Sequence, residues 1–511
     1  MSGWDRILEL YQNPIFVKHW RSRLRPQSVI PAAIVVLVIC LCCAVGGYLE
    51  GDLASSSLFQ VYLGIQFVLL GIMGGSQISS AVGQASSSGI LDFHRISPLT
   101  PGELTLGFFF GAPIREYLLF AVTLPFSILC VMVGNLGFRG LVQAMILLVL
   151  CSWLVHGMAM LNGLLFQRAR GTLLLAGVVF LLMNLGTLFA GVGRLSSAED
   201  ARLRFFGISL PWIAVVILCA LPCLAFLLLA CSRRMISART HPLSKRQATA
   251  AISTLGLLLL GTLSEVREAM GISIFILYVL VIAGAVLSVT VTPSQAEYMK
   301  GLRRQSKGEV VSSWHDLAVN RVFVAVVCSI VLVVATLAWT FLDSRSEMSG
   351  PRSGIPLAIA NGVLVVASIG LGSQYFQLQF GKRGWSYFGL FLFFTWVLPL
   401  LMGSVALVSA SGSWVVAQVL YALSPIVGIA LSMGMVSASD PLPVQAAAIT
   451  PSLAYTFVFN SLVKAAQVRL RAKALAPMQV GDGGRSEPGD PVRVELRERV
   501  IGPAEGASPG E

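Results

Sequence analysis

His156 is the one strongly ionisable side chain near the centre of an apolar run in this 511-residue chain. A histidine at that depth could hold a proton, but a lone one is more often a neutral, hydrogen-bonded packing residue. Arg115 and Glu116 stand side by side at the mouth of another run. They read either as a gate or partner pair, or as an ion pair on the surface, where such pairs contribute little. Thr100-Pro101-Gly102-Glu103 offers no reaction chemistry but a strong helix start. Thr100 can act as N-cap, Pro101 suits the first helical position, and Glu103 can reach back to the Thr100 amide. No phosphate loop of the form GxxxxGK followed by Ser or Thr, no HExxH and no GxSxG elbow occurs. The spans offer no acid pair for intramembrane proteolysis. The sequence therefore predicts no catalytic residue, bound cofactor or metal in this chain. The nine cysteines lie in or at the ends of apolar runs, which argues against a disulfide frame.

The elements that would position these residues are apolar. Hydrophobic residues make up 56% and charged residues 12% of the chain, whereas soluble domains carry about 25% charge. Runs of 18 or more apolar residues recur, each long enough to cross a bilayer as a helix. The expected fold class is all-α, a polytopic helical membrane protein. Strand-based barrels are excluded by the run lengths. The net charge of +12 suits lipid headgroups and membrane orientation, and implies no nucleic-acid partner.

Residues 1–27 lack a cleavable leader pattern. Asn13-Pro14 starts a helix with Ile15, Phe16 and Trp20 on one side and Lys18, Arg21, Arg23 and Arg25 on the other. That pattern fits a cytoplasmic interfacial helix, or simply a positive anchor before the first span. Apolar runs follow at about 28–48, 58–80, 117–137, 140–166, 172–191 and 208–231. Further runs lie at about 248–263, 270–292, 320–342, 355–375, 386–409, 413–436 and 446–463. If 413–436, interrupted by Pro425 and Gly428, dips in and returns, twelve spans remain in two six-helix halves, 28–231 and 232–463. That topology puts 28 Lys plus Arg in cytoplasmic segments against 7 outside, with Arg321 at a span boundary. It also leaves the tail 464–511 cytoplasmic, basic at first and then compositionally disordered from about Ala476. Thr292-Pro293-Ser294-Gln295, after the second span of the second half, echoes the first helix start as a weak repeat. Gln66, Asn184 and Asn361 are expected to bond between helices.

Spans this free of charge leave little to couple an ion to, so energy for transport would come from a soluble partner. The loop SSSGILDFHRISPLTPGELTLGFFFGA resembles the cytoplasmic segment of type-2 ABC exporter permeases, and NPIFVKHWRSRLR resembles their N-terminal interfacial helix. A re-entrant pair before the last span is another feature of that family. The chain departs from the pattern at Ser86 to Ser88, at Phe108 where Lys is usual, and at His19 where Glu is usual. The resemblance covers about residues 10–135 and fades in the second half. It implies a permease subunit of the bacterial inner membrane, with both termini cytoplasmic, driven by ATP hydrolysed in a separately encoded subunit. Either the fused halves form one channel, or the chain pairs with a second copy. The resemblance further implies that 96–112 is a coupling helix. Leu99, Thr100, Pro101, Leu104 and Phe108 would meet the ATPase, with Arg95 and Glu103 as rim charges. Pro293 and Gln295 would open a second docking helix reaching Arg304, although its KGLRR run also suits anionic lipid. An ion-coupled or facilitative transporter, and a membrane scaffold that transports nothing, are the other function classes the composition allows.

Overall fold

A computed structural model describes residues 13–49, 56–133, 137–165, 202–237, 240–263, 269–343, 354–408, 414–432 and 441–475. The expected run at 172–191, with Asn184, and the tail beyond 475 lie outside the described residues. In lipid a backbone must satisfy its own polar groups, so apolar runs become helices. In the first part these are α1 (Pro14–Arg23), α2 (Pro26–Leu49), α3 (Ser56–Phe67), a π-helical turn (Val68–Met73) and α4 (Gly74–Ser87). The chain continues through α5 (Ile90–Ile96), α6 (Pro101–Gly111), α7 (Ile114–Val133), α8 (Phe138–Leu165) and α9 (Trp212–Ile236). Then come α10 (Lys245–Thr262), α11 (Ala269–Thr290), α12 (Gln295–Ser306), α13 (Arg321–Asp343) and α14 (Gly354–Phe380). The last elements are α15 (Gly384–Leu392), a second π turn (Phe393–Val397), α16 (Leu398–Val408), α17 (Trp414–Leu423), α18 (Pro425–Ser432) and α19 (Pro441–Leu475).

Seven described helical stretches are long and apolar enough to cross a membrane, and an eighth if the bent pair Phe275–Thr290 and Gln295–Ser306 is one span. The chain is a multi-pass helical membrane protein. Its first long helix, α2, leaves Ile30, Ile34, Val38 and Leu41 exposed to whatever surrounds it, as lipid contact requires. The bent pair turns by 63°, and its second member carries Glu297, Lys300, Arg303 and Arg304, so the polar arm leaves the apolar layer. Gly354–Ala406 would extend about 80 Å if straight, yet the Phe376 ring lies 5.9 Å from Phe388 and 5.8 Å from Phe391. The chain therefore folds back after Phe380, where Gly381 takes φ +54° and opens a tight turn.

Among the described residues, one departure from an all-helical chain straddles the end of the stretch between the expected runs 172–191 and 208–231 and the first residues of the latter. Strands β1 (Arg202–Phe205) and β2 (Ile208–Pro211) form an antiparallel hairpin, with Phe205 opposite Ile208. Phe206 and Gly207 both have positive φ, the signature of a two-residue hairpin turn whose twist matches its strands. The Phe206 amide bonds the Gly261 carbonyl at 3.1 Å, fixing the hairpin to α10.

The apolar cores separate near position 237. Three clusters draw their buried residues from the chain before that point, and the largest draws from Ala230 onward. Helices α4 and α8 approach through small residues: a Cβ on Gly163 would meet the Ser79 carbonyl at 2.7 Å, and one on Gly75 the Val155 methyl at 3.1 Å. In the larger core, α14 packs between α11, α13 and α19. Asn361 donates to the Ala448 carbonyl at 3.2 Å and to Ser432 at 3.3 Å. Gln66 likewise donates to Ser127 at 2.8 Å, so both described residues expected to bond between helices do so.

Candidate functional site

The region 89–116 builds from local chemistry first. Gly89, at φ +76°, ends α4 in a left-handed conformation that releases the chain into α5. Ser97 is extended, and the capping box at the start of α6 then forms in full. The Glu103 amide donates to the Thr100 hydroxyl at 3.3 Å, and the Thr100 amide donates to the Glu103 carboxylate at 2.7 Å.

Tertiary packing decides which residues of this element face outward. Leu104 and Phe108, assigned to partner contact on sequence grounds, are 2% and 4% exposed and sit in one core with Ile15, Met160, Leu224 and Met235. Leu99 packs partly against the same core. Arg95 does not stand free either: its guanidinium donates to the carbonyls of Met235 at 2.9 Å and Arg234 at 3.2 Å, and it also pairs with Asp92. It neutralises the negative end of α9, where carbonyls lack helical partners. Glu103 is likewise committed to the cap. What remains outside is a ridge on α5: Ile90, Phe93 and Ile96, spaced by three, are 41%, 66% and 82% exposed. Thr100, Gly102 and Glu103 continue the exposed surface, with Pro101 half-buried. The Ile-x-x-Phe-x-x-Ile spacing was readable in the sequence, but α5 is too short to have stood out as a helix.

Helix α1 braces α6 from behind. Asn13 accepts from the amides of Ile15 and Phe16 at 3.0 and 3.3 Å, capping its own helix, and donates to the Glu103 carbonyl at 2.7 Å. Gly107 and Gly111 let α1 approach: added Cβ atoms would lie 2.8 Å from the Asn13 side-chain oxygen and 3.2 Å from the Phe16 Cα. The apolar side of α1 thus binds protein through Ile15 and Phe16, with Trp20 left 38% exposed. His19 lies over Phe108 at 5.5 Å between ring centroids. Burial, aided by Arg23 and Lys18, lowers its pKa from 6.5 to about 4. Between those values the unfolded segment binds a proton that the docked one does not, so docking strengthens as pH rises. Acidification from 6.5 toward 4 is therefore expected to release α1 from α6. Hydrogen exchange of 101–111 across that range tests this, and His19→Phe should remove the pH dependence.

Arg115 and Glu116 form a buried pair, not a surface one. The Glu116 side chain is 0% exposed, and Arg115, at 20%, donates to one carboxylate oxygen from Nη2 at 2.8 Å and Nε at 3.2 Å. Nearby, His156 is fully buried and its Nε2 lies 2.7 Å from the Leu70 carbonyl, in the π turn. The Phe109 and Tyr117 rings lie 5.7 and 6.1 Å from its imidazole. Gly74 leaves the room: a Cβ there would sit 2.6 Å from Nε2.

At the second expected docking element the cap shifts by two residues. Ser294 and Glu297, not Thr292 and Gln295, make the box that opens α12. Thr292 is buried, bonded to the Ser288 carbonyl at 2.8 Å and to Ser373 at 3.1 Å. Pro293 is buried beside it, and Gln295 is half-buried against Gly381. A third box, Ser244 with Gln247, opens α10. There Lys245, fully buried, donates to the carbonyls of Ala318 at 2.7 Å and Ser313 at 3.2 Å, while Arg233 bridges to Asp316 at 3.1 Å. The end of α9 and the loop 313–320 are thus tied together. Among the described residues no group of three His, Cys, Asp or Glu side chains could hold a metal.

No family model, curated protein or solved structure matches the chain.

Proposed function

We propose that the chain is the membrane-spanning permease subunit of an ABC exporter, moving its substrate with ATP hydrolysed by a separate subunit. The observation that carries this is the exposed apolar ridge Ile90, Phe93 and Ile96, held on a capped and cross-braced element. A soluble motor needs a stiff lever, and here the cap, the Arg95 tie to α9 and the α1 brace all stiffen the same piece. The chain's own apolar residues behind the ridge are already used, so the outward ridge is the surface left for a partner. In this reading the contact comprises Phe93, Ile96, Thr100, Pro101 and Glu103, backed by Leu104 and Phe108.

The same proposal takes twelve spans in two six-helix halves, both termini cytoplasmic, in a bacterial inner membrane. The fold-back after Phe380 supports counting α14 and α15–α16 as separate crossings. Helices α17 and α18, of ten and eight residues, are each too short to cross. They meet at Ser424, whose hydroxyl donates to the Trp396 carbonyl at 2.9 Å, midway along the α15–α16 stretch. That geometry supports a segment that dips to mid-depth and returns.

The test is co-purification of the chain with an ATP-binding subunit and stimulation of its hydrolysis. Phe93→Asp and Ile96→Asp are each expected to weaken that association by about 2 kcal/mol, near thirtyfold, as for an interface anchor. Retention at wild-type strength in both variants sinks the docking assignment. A second reading, ion-coupled transport, is favoured by the buried Glu116, one of whose oxygens lacks a hydrogen-bond partner among the described residues. Proton-dependent flux in vesicles without any ATPase would establish it instead.

A further inference from the structure

A cavity of about 280 Å³ opens between α12, the segment 311–322 and the last helix α19. Its lining includes Arg321, Arg471, Gln305, Gln467, Tyr298 and Ser313. We propose that this cavity is a binding site for a phosphate group, with Arg321 and Arg471 as its cationic holders.

Three observations converge on that chemistry. No carboxylate lines the cavity. The acids on the neighbouring described segments are engaged elsewhere: Asp316 by Arg233, Glu297 by the Ser294 cap, and Glu309 by Arg304 at 3.8 Å. Two guanidinium groups are thus gathered without an internal counter-ion, which favours an anion from outside. The make-up of the wall is the second point: Arg471, whose planar fork suits phosphate, shares it with Tyr298. Amide groups of Gln305 and Gln467 add neutral donors at the same wall. The third is depth. Arg321 is the first residue of the apolar helix α13, and Arg471 lies eight residues, about 12 Å, beyond the apolar run 446–463 of α19, so both sit at or outside the edge of an apolar layer. Headgroup phosphates occupy that level, and the α13 N-terminus adds its own positive end.

The shared chemistry is a phosphate monoester or diester, supplied either by a lipid headgroup or by a soluble phosphate. The site does not depend on the permease assignment, and its test reads lipid and phosphate binding, not ATPase recruitment. The full chain is reconstituted in phosphatidylcholine with or without phosphatidylglycerol, and bound lipid is counted by native mass spectrometry. A parallel arm titrates inorganic phosphate into the phosphatidylcholine sample. Phosphatidylglycerol retention is expected to fall about fivefold for Arg321→Gln and for Arg471→Gln. It should not change for Lys382→Gln with Arg383→Gln, exposed basic residues off the cavity wall. Val311→Trp, which narrows the cavity without removing charge, should also lose binding and serves if an arginine variant does not insert. Saturable inorganic phosphate binding with no lipid preference would assign the soluble source to the same site. Equal losses from the off-wall pair would make the attraction a diffuse surface charge and overturn the proposal. So would an absence of binding in both arms, or full binding in Val311→Trp.

Discussion

Arg115→Ala is expected to destabilise the protein by about 3–5 kcal/mol, the cost of leaving a buried charge without its partner. Glu116 is 0% exposed, and the only hydrogen bonds to its carboxylate among the described residues come from the Arg115 guanidinium. Removing the guanidinium strands a carboxylate that water does not reach. Arg115→Lys should fall between, because an ammonium restores charge but cannot present two donors to one oxygen. The informative partner is the double change Arg115→Met with Glu116→Leu, which removes both charges and fills the space. It should recover most of the loss, since apolar replacement of a whole buried pair is often neutral or better. Thermal unfolding in detergent reads all three. A single Arg115→Ala as stable as the parent, or a double variant no better than the single, would refute the buried pair.

Gly163→Leu is expected to cost about 3 kcal/mol, at the upper end for overpacking a filled interior. A Cβ there would lie 2.7 Å from the Ser79 carbonyl oxygen and 3.2 Å from the Ser79 Cα. Both are backbone atoms, so no side-chain rotation can relieve the clash and α4 must move off α8. That displacement would also carry the Gly74–His156 contact and the Leu70 carbonyl with it, since the π turn leads directly into α4. Gly46→Leu adds the same atoms to α2, where nothing lies within 4 Å, and should be close to neutral. Comparing the two by thermal unfolding separates helix packing from the effect of simply adding an apolar group. Equal stabilities would mean that α4 and α8 do not cross so closely.

Much of the fold was legible because membrane helices are specified locally. Five of the thirteen apolar runs return as long apolar helices with ends within about five residues of the sequence bounds, from Pro26–Leu49 to Arg321–Asp343, and a sixth, 58–80, runs on to Ser87. Thr100 and Glu103 were equally readable, because a capping box involves residues three apart and needs no other part of the chain. The same local logic misjudged the second cap. Thr292-Pro293-Ser294-Gln295 and Ser294-Gln295-Ala296-Glu297 both fit the pattern, and the choice fell to the bond from Thr292 to Ser373, 81 residues away.

The sequence by itself determined that this chain lies in a membrane, roughly where several of its long helices run, and that a capped helix follows the second span. Tertiary structure alone decided which side of that element is free. Leu104 and Phe108 look like docking residues by type, but Ile15 and Met235 already cover them. Arg95 looks like a rim charge until its bonds to the Met235 and Arg234 carbonyls are seen. Arg115 and Glu116 read equally as a gate pair or a surface pair until the burial of the carboxylate is seen. The physical reason is common to all three. Helix formation is a matter of neighbours within four residues, whereas burial depends on distant parts of the chain, which for Leu104 and Arg95 lie about 90 to 140 positions away.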